Sequence, residues 1–167
     1  MIIQNRKAFT MIELVFVIVV IGILSAVAIP RFAVNRDDAV VARAKSEVAS
    51  IRSALATERQ KRILTGTFTP IFKLSSSVTA GAPVFDAFDG NVSKPVLEYA
   101  PLSCSSTTSQ ECWRETTTGT VGSPISQYTF YMPVTGTVVF TLANNRFDCN
   151  LTAGTAKEMQ DCKDLTQ

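Results

Sequence analysis

The stretch FTMIELVFVIVVIGILSAVAIP, residues 9–30, decides the architecture, because Glu13 is the only charged residue between Phe9 and Ile29. A helix rises 1.5 Å per residue, so a helix through this segment spans about 30 Å, the thickness of a bilayer's hydrocarbon core. Arg6 and Lys7 precede it with no acidic neighbour, and a short basic flank of this kind stays on the cytoplasmic side. A secretory signal has a shorter apolar core that ends in small residues at a cleavage site. Here the apolar run is long and passes straight into an amphipathic pattern. The sequence therefore predicts a retained single-pass helix with the bulk of the chain outside the cytoplasm.

Glu13 is the anomaly. A carboxylate inside a membrane helix is costly at the centre and cheaper at an interface. One reading places it at the membrane edge, helped by the positive end of the helix dipole. The other gives it a cationic partner on a second molecule. Residue type alone favours the first; its neighbours shift the balance.

Phe9-Thr10-Met11-Ile12-Glu13, set behind Arg6-Lys7-Ala8 and ahead of Gly22 and Pro30, resembles the N-terminal signature of type IV pilins and type II secretion pseudopilins. The resemblance covers residues 6–30 and continues in general character to about residue 62. It implies a leader, residues 1–8, removed by a prepilin peptidase that cuts between Ala8 and Phe9 and N-methylates the new Phe9 amine. Most members have Gly where this chain has Ala8, the next smallest side chain. The resemblance further implies that Glu13, fifth in the mature chain, neutralises a neighbour's Phe9 amine, and that the helix between Gly22 and Pro30 loosens when subunits pack. Both residues weaken a helix by propensity.

Composition narrows the function. The 167 residues suffice for one modest domain and an anchor, and the formal net charge of +2 falls to zero without Arg6 and Lys7. That gives no global argument for nucleic acid or an acidic substrate. Residues 31–62 are locally basic: eight Arg or Lys side chains stand against Asp37, Asp38, Glu47 and Glu58. A solvated helix face explains this more simply than stacking of opposed charge zones. Histidine is absent, which removes the commonest general base and metal ligand. No nucleophile elbow or phosphate loop is present. No enzyme is expected, and no cofactor.

Past Pro30 the pattern becomes amphipathic. Val34, Val41, Ala44, Val48, Ile51 and Leu55 share one helical face, and Thr65-Gly66 with Pro70 supplies the stop. The segments are thus a leader at 1–8, a membrane and assembly half-helix at 9–30, an amphipathic half-helix at 31–64 and a head at 65–167. Residues 65–95 read as an ordered connection with room for one short helix. Asp86, Asp89 and Asn91 could offer oxygens to Ca²⁺, but their spacing fails the calcium-loop pattern, and a turn at Asp89-Gly90-Asn91 explains them better. Strands are expected at 96–99 (VLEY), 125–132 (ISQYTFYM), 137–142 (TVVFTL) and 146–151 (RFDCNL). Pro133–Gly136 and Asn144-Asn145 supply the turns of a meander. The polar run between the first strand and this meander, SCSSTTSQECWRETTTGT, reads as a surface excursion, with Trp113 packing locally.

All four cysteines lie in the exported part, which favours two disulfides over a four-thiolate zinc site. Of three possible pairings, Cys104–Cys112 and Cys149–Cys162 each bracket a turn-rich loop, and the family resemblance supports the second. The fold class is α+β: a long N-terminal helix packed on a small antiparallel sheet.

The predicted function is a structural subunit of a type IV pilus-like filament, either a pilin or a secretion pseudopilin. Its partners would be itself, the prepilin peptidase and methylase, an inner-membrane assembly platform and, before assembly, membrane lipid; DNA or a secreted substrate is left unassigned. Its path would lead from the inner membrane, head in the periplasm, to a periplasmic or cell-surface filament. The alternative is a monomeric, single-pass membrane-anchored binding or receptor protein.

Overall fold

The structure, a computed structural model, describes residues 9–167 apart from 107, 135, 150 and 152–154, and apart from the side chains of 27–35. Its elements are α1 (Met11–Leu64), β1 (Cys112–Thr117), β2 (Ser126–Tyr131), β3 (Thr137–Ala143), β4 (Arg146–Cys149) and α2 (Ala156–Thr166). The chain divides into two units, residues 1–38 and 39–167. The second unit contains α1 from Ala39 onward, so this part of the helix belongs with the head.

In the first unit α1 is apolar from Met11 to Ala26 except at Glu13 and Ser25, and Met11, Ile12, Phe16, Ile18 and Leu24 are all exposed. In the second unit a single stripe is buried. Ala44, Val48, Ile51 and Leu55 lie at spacings of three and four, each at most 2% exposed, with Val40 and Val41 packed beside them. That is the face the 3.6-residue period predicts; Val34 lies among the side chains that are not described. The helix stops where Thr65-Gly66 predicts. Gly66 takes φ +75°, and the Thr67 amide donates to the Arg62 carbonyl at 2.8 Å while the Gly66 amide donates to that of Ile63. A glycine in the left-handed region satisfies the last carbonyls without a Cβ clash.

The sheet is an antiparallel meander in the order β1-β2-β3-β4. Asn144 and Asn145 both have positive φ, 52° and 61°, the two-residue turn whose twist matches that of the flanking strands. Trp113, Tyr128, Phe130, Phe140 and Phe147 point from the sheet into the core, where Phe85 joins them from the connection. Phe85 meets the Trp113 ring edge-on at 5.1 Å, and Phe140 stacks on Phe147 at 4.9 Å. Edge-on and offset contacts suit the ring quadrupoles, so this cluster fixes orientation as well as burying area.

Three expectations are corrected. Residues 96–99 form no strand: Pro95 has no amide to donate, and the segment is held by one bond, from the Leu97 amide to the Phe85 carbonyl. The first strand is instead Cys112–Thr117, inside the run read as a polar excursion. Its inward positions are Trp113 and Glu115, and the buried carboxylate interrupts the apolar alternation that marks a strand. The loop expected between Cys149 and Cys162 contains α2. Thr155 caps it, accepting from the Glu158 amide at 3.2 Å, while Glu158 Oε2 accepts from the Thr155 amide at 2.7 Å. Among the described residues 65–95 there is no helix.

Candidate assembly site and its supporting head

Thr10 and Glu13 form a closed unit at the start of α1. The Thr10 amide and hydroxyl both donate to Glu13 Oε2 at 2.8 Å, and the Glu13 amide donates to Thr10 Oγ1 at 3.3 Å. This is a capping box: the side chains three residues apart satisfy each other's otherwise unpaired amides. Sequence reasoning missed it, although Thr-x-x-Glu ahead of an apolar run is its signature. Glu13 is exposed, and Phe9 beside it is 87% exposed. Within a single chain the carboxylate therefore has a local partner, and among the described residues its second oxygen accepts no hydrogen bond.

Gly22 lies in α1 with open space around it, so that an added Cβ would meet nothing within 4 Å. Pro30 falls within the range of α1, but its side chain is not described; Ala8 and the rest of residues 1–8 lie outside the described residues. Among the described residues, no helix is long and apolar enough to cross a membrane.

The head is clamped to its part of α1 by polar contacts as well as by the core. Glu47 accepts from Trp113 Nε1 at 2.7 Å and from Arg43 Nε at 2.9 Å. Arg52 donates to the Phe147 carbonyl and to Asp148, both at 3.0 Å, and so covers the open edge of β4. Arg62 pairs with Glu58 and with Asp89, and the two carboxylates hold its already high pKa higher still against the cost of burial. Asp89 is one of the two acids first considered for calcium, and both are occupied. Asp89 also accepts from the Phe72 amide, and Asp86 accepts from the Ser76 amide and hydroxyl. Asp89 and Gly90, at φ 54° and 76°, form the expected turn. Among the described residues, no group of three His, Cys, Asp or Glu converges on a possible metal position.

Cys104 is bonded to Cys112, and Cys149 to Cys162. The first staples the connection to the start of β1; the second ties β4 to α2. With sequence separations of 8 and 13, each loop closure contributes about 3 kcal/mol through the unfolded state. Non-reducing peptide mapping is expected to recover these two links and no free thiol. Reduction should expose the head to protease and leave the first unit unaffected; a Cys104–Cys149 link would refute the arrangement.

Residues 3–29 match the family described as the prokaryotic N-terminal methylation motif. Over 64 residues the chain is 49% identical to the type IV narrow pilus major component PilA5 of Thermus thermophilus, covering 37% of this chain and 55% of that protein. It is 46% identical over 63 residues to a fimbrial protein of Pseudomonas aeruginosa, 38% of each chain. It is 42% identical over 52 residues to the type IV major fimbrial protein FimA of Dichelobacter nodosus, covering 31% of this chain and 33% of the relative. The matches thus span between a third and just over half of these relatives. No solved structure matches the chain.

Proposed function

We propose that the chain belongs to the type IV pilin family, which its N-terminal motif and its similarity to pilus and fimbrial proteins support, and that it is a subunit of a pilus: a structural protein, not an enzyme. The observation that carries the reading is the capped start of α1, apolar but for Glu13, with Phe9 and Glu13 exposed at its tip. In this reading residues 1–8 are a leader removed between Ala8 and Phe9, and the Phe9 amine is methylated. Residues 9–30 hold the chain in the inner membrane with the head in the periplasm until an assembly platform extracts it. They then form the apolar interior of a filament, and residues 65–167 with the amphipathic half-helix 31–64 form its exterior. Relatives named for pili and fimbriae favour a surface pilus over a secretion pseudopilus.

The physical logic is a division of labour. Side chains exposed all round α1 in one chain supply non-directional packing once a second chain covers them. Packing alone leaves register open. A carboxylate at Glu13 facing a neighbour's amine at Phe9 fixes it, because a displaced subunit would leave both charges unpaired in an apolar medium.

Mass spectrometry of purified filaments tests the processing. The expected chain begins at Phe9 and carries one added methyl. Ala8→Gly should be cut at least as well, and Ala8→Leu should block cleavage. Assembled material that retains Met1 would overturn the proposal.

A further inference from the structure

Glu115 faces inward from β1 and is 8% exposed. Among the described residues it alone has buried side-chain oxygens without a hydrogen-bond partner, and both its oxygens are in that state. It sits where the β1–β2 register slips, between the Glu115–Tyr128 and Thr117–Gln127 pairs. A bulge of this kind re-aims a side chain and is a built feature of a strand. Over it runs a strap, residues 71–76, whose backbone is held mostly by side chains. The Ile71 amide donates to Asn145, that of Phe72 to Asp89, that of Leu74 to the Tyr128 hydroxyl at 2.7 Å and that of Ser76 to Asp86. The Phe72 carbonyl accepts from the Ser126 hydroxyl, and a Cβ at Gly119 would collide with it. The strap is seated tightly, and a carboxylate lies under it.

The charged and titratable groups facing Glu115 are Lys73 on the strap, Asp86 from the connection and Tyr128 on β2. The nearby Thr118 and Ser75 hydroxyls favour ionisation although neither reaches hydrogen-bonding geometry with the carboxyl, and so does Lys73, whose ammonium stands over Gly90. Asp86 opposes ionisation. Burial outweighs both and pushes the Glu115 carboxyl above the usual carboxylate range; it also pushes up the Tyr128 phenol, which stays neutral. A buried carboxylate with no donor is far more costly than a buried carboxylic acid.

We propose that Glu115 is carried beneath the strap as a neutral carboxylic acid, and that loss of its proton loosens the seat of the strap on the sheet. The head then has a pH-sensitive latch. The sign follows from the raised pKa: the stabilisation is complete below the ordinary glutamate value and is lost as pH rises through the folded value. The chain has no histidine and no free cysteine, which leaves few other side chains to titrate in the neutral range.

The test uses the full-length chain in detergent. Trp113 is the only tryptophan, and it is buried two residues from Glu115, so its fluorescence reports unfolding of the head alone. The apparent melting temperature of the wild type should fall by on the order of 5 °C as pH rises from the acid to the neutral side of the transition. Glu115→Gln keeps the shape without the ionisation, and its melting temperature should be flat over that window. Across the same pH series, the infrared spectrum of the wild type should keep a carboxylic-acid C=O band above the pH at which ordinary carboxyls, near pKa 4, have ionised, a band that Glu115→Gln lacks. Equal pH slopes in wild type and variant, or identical spectra in that region, would overturn the proposal.

Discussion

Trp113→Ala is expected to remove a large share of the stability of the head. The indole is 1% exposed and touches Phe85, Phe130, Phe140 and Phe147. Deleting a side chain of this size from a packed core costs about 3–5 kcal/mol, because the transfer loss and the cavity add. A whole domain is stable by only about 5–15 kcal/mol. The truncation also leaves Glu47 Oε2 without its indole donor, although Arg43 still holds the other oxygen. Pulse proteolysis of the full-length chain in a urea series should show the midpoint for head cleavage displaced sharply downward. Trp113→Phe keeps much of the ring packing and loses the hydrogen bond, so it should fall between the two. A Trp113→Ala midpoint within error of the wild type would show that the aromatic cluster does not hold the head together.

The same cluster explains why some of the fold is legible in the sequence and some is not. The buried stripe Ala44, Val48, Ile51 and Leu55 can be read because its spacing is helical and its neighbours are polar. Strands β2 and β3 can be read because β-branched and aromatic residues crowd them, from Tyr128 to Tyr131 and from Val138 to Leu142, and Asn144-Asn145 marks the turn after them. Strand β1 cannot be read so easily. Of its two inward side chains one is Glu115, and a carboxylate in the core breaks the period-two signal at its decisive position. The residue that hides the strand is thus the one with the most unusual environment. Helix α2 was hidden for another reason. Its apolar content is low, and its evidence lies in Thr155-x-x-Glu158 and in the spacing of Met159, Cys162 and Leu165 rather than in hydrophobicity. The same Thr-x-x-Glu pattern at Thr10 and Glu13 shows that one local device serves both helices. At the N-terminus, however, the family motif draws attention to the charge of Glu13 and away from its hydrogen bonds. The disulfide pairs were legible because each joins sequence neighbours among the cysteines, although the second encloses the start of α2, whereas the contacts Glu47–Trp113, Arg52–Asp148 and Arg62–Asp89 join residues far apart in sequence and leave no periodic trace.

Two roles for Glu13 are therefore open to separation, and substitutions at two positions separate them. As an N-terminal cap, Glu13 needs an acceptor oxygen at the third helical position, which Gln supplies as well as Glu. As the partner of a neighbour's Phe9 amine, it needs the charge, which Gln lacks. Glu13→Gln is thus expected to preserve the start of α1 and to lose filaments, because each subunit joint would place an unpaired cation in an apolar interior. Glu13→Ala removes both functions and should lose filaments as completely, with membrane insertion preserved or improved because a carboxylate has been removed from the segment. Thr10→Ala removes the cap and keeps the charge; it should still assemble, with at most a modest fall in yield. The measurement is a count of sheared or imaged filaments for each variant, after blotting has confirmed cleavage before Phe9 and a normal level in the membrane. Loss of filaments in both Glu13 variants with assembly retained in Thr10→Ala is the expected pattern. Filaments at wild-type number in Glu13→Gln would confine Glu13 to capping its own helix. Filaments at wild-type number in Glu13→Ala as well would return the chain to a membrane-anchored head that acts alone.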